Sequence, residues 1–257
     1  MNRIQEHLDR LKKEGKRAFI PYIMAGYPDV ERSMRVFSLL AQAGADVIEL
    51  GVPFTDPLAD GPVIQQAADR ALKQGVTLRG VLSMLKELRK NHPVRVALMS
   101  YYNPIYKYGL ERFFNAASAS GVDGLIVPDL PPDEAEDMIE YANKYDIATI
   151  FLAAPTSTEE RIRLVAEKST GFVYYVSITG ITGSKIKITD EMKRMVNRIR
   201  KYTDRAVCVG FGVKRPEEAR KVAQIADGVI VGSSIVKMMD GDLKSLKRYI
   251  ESLRRAI

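Results

Sequence analysis

Eight short apolar runs, each followed by a helical pattern, predict an α/β fold: a (β/α)8 barrel, the TIM barrel, with an additional N-terminal helix. Three observations carry this. Runs and helical patterns alternate along the whole chain, with no linker or low-complexity stretch between them. The 257 residues match such a barrel folded as one unit, about 250 residues, so a single domain over 1–257 is expected. No Gly-x-Gly-x-x-Gly follows the first run, which argues against the dinucleotide-binding form of the rival open sheet.

Residues 1–8 begin an amphipathic helix and lack the apolar stretch of a signal peptide, which makes the cytoplasm the default expectation. The first strand is expected near 18–25. A helix near 29–43 follows, with Asp29 as its N-cap and Val30, Met34, Phe37 and Ala41 at helical spacing.

The second strand, 46–50, is the informative one. Val47, Ile48, Leu50 and Val52 make a near-continuous apolar run, as in a parallel strand covered on both faces. Glu49 interrupts it, and strand alternation turns Glu49 away from Ile48 and Leu50. A carboxylate there costs several kcal/mol unless it is paired or protonated. The strand breaks at Gly51 and Pro53, and a loop stiffened by Pro53, Pro57 and Pro62 follows, carrying Asp56 and Asp60. Two readings stand on these residues: an active-site carboxyl beside an acidic loop, or a salt-bridged Glu49 with aspartates that only cap turns. Asp56 taken alone fits the turn cap.

Segment 61–91 holds two helical stretches split around Gly75-Val76-Thr77. Further strands are expected at 95–100, 123–127, 147–152, 171–177, 206–210 and 227–231. Ser157 and Glu160 have the spacing of a capping box for a helix near 158–168, and Pro216 suits a first helical turn. In a barrel the C-terminal strand ends form the mouth, which gathers Glu49, Tyr101, Asn103, Asp129 and Tyr174. Three glycine turns, at 180–183, 210–212 and 232–234, follow the last three strands. Glycine lets backbone N–H groups approach an anion, and a helix starting at Ser233 would aim its positive end there. Barrels frequently bind phosphate in this sector.

Composition narrows the chemistry. The profile, 46% hydrophobic and 28% charged, is that of a globular protein with a sizeable core. Its apolar runs are too short to cross a bilayer. The net charge of +7 is scattered among acidic neighbours, which speaks against nucleic acid and suits a phosphorylated substrate. One cysteine, Cys208, excludes an internal disulfide, and two histidines, His7 and His92, leave no His-based triad or His/Cys metal cluster. Acid–base work falls to carboxylates, tyrosines or lysines.

Residues 49–62 and the three glycine turns, with 19–22, 101–104 and 127–131, resemble the tryptophan synthase alpha subunit family over essentially the whole chain. The resemblance implies a barrel that cleaves indole-3-glycerol phosphate to indole and glyceraldehyde 3-phosphate. Glu49 would be the acid–base catalyst, Asp60 the partner of the indole N–H and Tyr174 the active-site tyrosine. Tyr22, Tyr101, Asp129 and Thr182 would face substrate, and Gly183, Gly212, Gly232 and Ser233 would take the phosphate. It implies no metal and no organic cofactor in this chain. The expected partner is a beta subunit carrying pyridoxal phosphate, in an α2β2 heterotetramer, with neither nucleic acid nor membrane. Loop 53–60 and the segment after Gly183 would then move in response to the partner, with Lys185 or Lys187 the first trypsin site. Ile178 departs from the arginine that many members carry just after the serine at this point in the motif. Other phosphate-binding barrels share the glycine turns, and a non-catalytic regulatory subunit could share the fold. The pairing of Glu49 with Asp60 separates the expected activity from both.

Overall fold

The computed structural model describes residues 2–177, 190–210 and 212–257. In chain order the elements are α1 (Arg3–Lys13), β1 (Ala18–Met24), α2 (Val30–Gln42), β2 (Val47–Gly51), α3 (Pro62–Lys73), α4 (Leu78–Arg89), β3 (Arg95–Met99), α5 (Tyr102–Tyr108), α6 (Leu110–Ala119) and β4 (Gly124–Ile126). The second half contributes α7 (Glu136–Lys144), β5 (Ala148–Ile150), β6 (Leu152–Ala153), α8 (Glu159–Lys168), β7 (Val173–Val176), α9 (Asp190–Arg200), β8 (Val207–Gly210), α10 (Pro216–Ala223), β9 (Gly228–Val231), α11 (Ser233–Met238) and α12 (Leu243–Ala256).

All strand pairings are parallel, in the order β5-β4-β3-β2-β1-β9-β8-β7-β6. The two ends of that order, β5 and β6, are separated in the chain only by Phe151, whose carbonyl accepts from Tyr174 N–H at 3.1 Å. One extended stretch therefore joins both ladders and closes the barrel. The run expected as a single strand at 147–152 is thus two short pieces, and each of the other expected strands is found.

Alternation sorts the side chains into two cores. Ile48, Leu50, Val96, Leu98, Val229 and Val231 face outward and pack against the helices. Ala18, Ile20, Val47, Ala97, Ile126, Ala148, Ile150, Phe172, Cys208 and Ile230 fill the lumen. Helix α1 closes the lower end with buried Ile4, Leu8 and Leu11, which belong to the lumen cluster. Asn2 caps this helix by accepting from Gln5 N–H.

At that lower end four side chains clip neighbouring strands together. Asp46, Asp123, Thr170 and Asp227 each accept from the backbone N–H of Phe19, Val96, Thr149 and Val207. Each returns its own N–H to the same residue's carbonyl. The three aspartates have partners: His7 and Arg254 for Asp46, Arg3 and Arg89 for Asp123, Arg200 for Asp227.

Most local signals hold. Asp29 and Thr77 cap α2 and α4, Gly75 at φ +78° ends α3, and Pro216 opens α10. The capping box at Ser157 does not form. Thr158 caps α8 by accepting from Arg161 N–H, and the Ser157 hydroxyl accepts from Ala154 N–H instead.

Candidate active site

Glu49 and Gly51 are two apart on β2 and share its inward face, at the upper end of the lumen. Glu49 is 1% exposed, and neither carboxyl oxygen has a hydrogen-bond partner among the described residues. Among the described residues no arginine or lysine pairs with it, which speaks against the salt-bridge reading. Burial, and secondarily the charge of Asp60, push its pKa from 4.5 to about 8. At neutral pH this carboxyl holds a proton and can still release it.

Asp60 ends the acidic loop. Its Oδ2 accepts from the Tyr101 hydroxyl at 3.1 Å, and that hydroxyl accepts from Ala59 N–H at 3.0 Å. Burial raises the Asp60 pKa to about 6, while the bond from Tyr101 opposes the rise. Two carboxyls facing one space are therefore separated in acidity, the arrangement that assigns one as acid and the other as ion. Gln65 on α3 holds the loop from outside by donating to the Asp60 carbonyl at 2.9 Å. Asp56 accepts from the Thr55 hydroxyl at 2.5 Å and stays exposed, a turn residue.

Two tyrosines close over this pair by using glycines as slots. A Cβ on Gly51 would collide with the Tyr22 phenol, and one on Gly210 would lie 2.7 Å from Tyr174 Cε1. Each ring crosses a neighbouring strand at an inward position that carries no side chain. The charges of Glu49 and Asp60 add to burial in raising the pKa of both phenols, so all four groups face a common space. Gly51, read from the sequence as the break of its strand, is in fact its last residue. Gly210, read as a phosphate turn, lies in β8.

Asp129 does a local job: its carboxylate accepts from Tyr102 N–H at 2.9 Å and 3.2 Å, capping α5, and the side chain is exposed. Asn103 lies exposed on the same helix. Gly212 is left-handed at φ +34°, and Ser233 is the first residue of α11. Ser234, read in the sequence only as part of the turn at 232–234, ties the start of α11 to the loop after β8 by donating to the Val213 carbonyl at 2.7 Å. No pattern marks it, because the bond spans two strand–helix loops. Thr182 and Gly183 lie outside the described residues, as do Ile178, Gly180, Lys185 and Lys187.

Known proteins resemble this chain along its whole length. The family model for the tryptophan synthase alpha chain matches residues 8–256. The tryptophan synthase alpha chain of Dehalococcoides mccartyi is 44% identical over the full length of both chains. That of Caldanaerobacter subterraneus is 41% identical, again with full coverage of both. The crystal structure of tryptophan synthase subunit alpha from Legionella pneumophila superposes with a TM-score of 0.92 at 38% identity, covering 100% of this chain and 98% of that one. The chain belongs to the tryptophan synthase alpha chain family.

Proposed function

We propose that this chain performs its family's reaction, the retro-aldol cleavage of indole-3-glycerol phosphate to indole and glyceraldehyde 3-phosphate, and hands the indole to a beta subunit. One observation supports this above the others: a buried Glu49 carboxyl, unpartnered among the described residues, beside a second carboxyl, Asp60, that keeps a hydrogen-bond donor.

The chemistry follows from that pair. Protonated Glu49 delivers its proton to the indole C3, and positive charge develops at the indole nitrogen. Ionised Asp60, accepting from the indole N–H, stabilises that charge where it forms. The Glu49 carboxylate then takes the proton of the side-chain hydroxyl next to C3. The C3 bond to the side chain breaks, its electron pair returns to the ring, and the hydroxyl carbon becomes the aldehyde. Glu49 ends as it began, protonated, so one carboxyl serves as acid and base in turn. Proton transfers and one bond cleavage complete the reaction, and no cofactor enters it. Pyridoxal phosphate belongs to the beta subunit, the partner in an α2β2 assembly.

Tyr174 and Tyr22 pack against the indole, and Tyr101, Asp129 and Thr182 are the further substrate-binding residues. Phosphate falls to Gly183, Gly212, Gly232 and Ser233. The bond from Ser234 to Val213 supports this by holding two of those loops at a fixed separation. Among the described residues no helix is long and apolar enough to cross a membrane, and the cytoplasm is the proposed location.

The test is product analysis. The purified chain, given indole-3-glycerol phosphate and no added cofactor, should release indole and glyceraldehyde 3-phosphate in equal amounts. Failure to release indole, alone and with a beta subunit present, would overturn the proposal.

A further inference from the structure

Tyr101 holds both ends of the acidic loop at once. Its ring packs on Phe54 near the start, with centroids 5.1 Å apart. Its hydroxyl grips two successive residues at the end, accepting from Ala59 N–H and donating to Asp60 Oδ2. The residue itself is fixed by the barrel. It is buried and lies between the end of β3 and the first turn of α5. Before it, Ser100 N–H donates to the Ile126 carbonyl, and after it Tyr102 N–H is held by Asp129. A rigid post thus carries, from inside, a loop that Gln65 holds from outside.

A phenol has one proton to give. With Ala59 N–H occupying a lone pair, that proton goes to Asp60, and a donor facing a carboxyl favours its ionised form. We infer that Tyr101 is a positioning residue that acts through Asp60, coupling the pose of loop 53–60 to the charge the site presents to the indole nitrogen. This rests on the proposed cleavage reaction and deepens it. The titratable groups facing Asp60 among the described residues are Glu49 on β2, Tyr22 on β1, Tyr174 on β7 and Tyr101 itself. Of these, Tyr101 alone donates a hydrogen bond to it.

The experiment is a double-mutant cycle with Tyr101→Phe and Asp60→Asn, read as steady-state indole release across pH. Tyr101→Phe keeps the ring on Phe54 and removes only the hydroxyl. It should lower kcat about tenfold to a hundredfold, the worth of a hydrogen bond to a charged group, with KM nearly unchanged. The acid limb of its pH profile should move upward, since Asp60 loses the group that favours its ionised form. In the Asp60→Asn background the same change should cost almost nothing. An equal loss in both backgrounds, or wild-type kcat with an unmoved acid limb, would overturn the inference. Should Tyr101→Phe not fold, the wild-type Ala59 amide resonance decides: it should titrate with Asp60 near pH 6, and an amide indifferent to that titration refutes the coupling. Failure of the functional reading is distinct, because the wild-type protein would then make no indole.

Discussion

Replacing Glu49 with Gln should stabilise the fold in alkaline solution. The folded protein holds this carboxyl at a pKa of about 8, against 4.5 for the free side chain. Its folded value is raised, so between those limits the folded state keeps a proton that the unfolded chain has lost. The contribution of Glu49 to wild-type stability therefore falls as pH rises through the window and is lowest above pH 8. At 1.36 kcal/mol per tenfold the full penalty is roughly 5 kcal/mol, a large share of the 5–15 kcal/mol that holds a typical domain together. Glutamine has nearly the same volume and no charge to desolvate. Urea unfolding of both proteins from pH 5 to pH 9 gives the test. The variant should lead by under about 1 kcal/mol at pH 5, gain about 1.4 kcal/mol per pH unit, and level off near pH 8. Titrating groups remote from Glu49 are common to both proteins and cancel in the difference. Parallel curves across the window would show that Glu49 titrates as an ordinary exposed carboxyl, and the reasoning from its burial would fail.

The same pair sets the pH dependence of the reaction: kcat/KM should be bell-shaped, falling below about 6 as Asp60 protonates and above about 8 as Glu49 ionises. An alkaline limb displaced beyond pH 9 would contradict the assignment. Gly51→Ala places a methyl group against the Tyr22 phenol; calorimetry should show about 1–3 kcal/mol of destabilisation, and Tyr22→Phe in that background should restore part of it. Asp123→Ala, at the closed end of the barrel, unclips Val96 N–H and leaves Arg3 and Arg89 without their partner. It should cost about 2–4 kcal/mol in urea unfolding and leave kcat unchanged, because the chemistry lies at the other end.

What the sequence reveals here follows the range of each interaction. Strands and helices are legible because a buried face imposes period two or 3.6 on neighbouring residues. Glu49 is legible for the same reason, as a charge inside an otherwise apolar run. Asp46, Asp123 and Asp227 read only as the first residues of the strands expected at 46–50, 123–127 and 227–231, because their acceptor role depends on the adjacent strand, which is distant in sequence. Gly51 reads as a break until the Tyr22 ring is seen to need its missing side chain. The hold of Tyr101 on Asp60 spans 41 residues and exists only because β2 and β3 are neighbours. Ser157 and Thr158 are both good caps, and which one closes α8 is decided by where the chain leaves β6.

The most direct measurement is single-turnover indole release from indole-3-glycerol phosphate by wild-type protein and by Glu49→Gln, side by side at pH 7. The wild type should turn over, and the variant, folded and able to bind substrate, should be slower by several decades of rate. A variant within tenfold of wild type would show that the proton shuttle lies elsewhere.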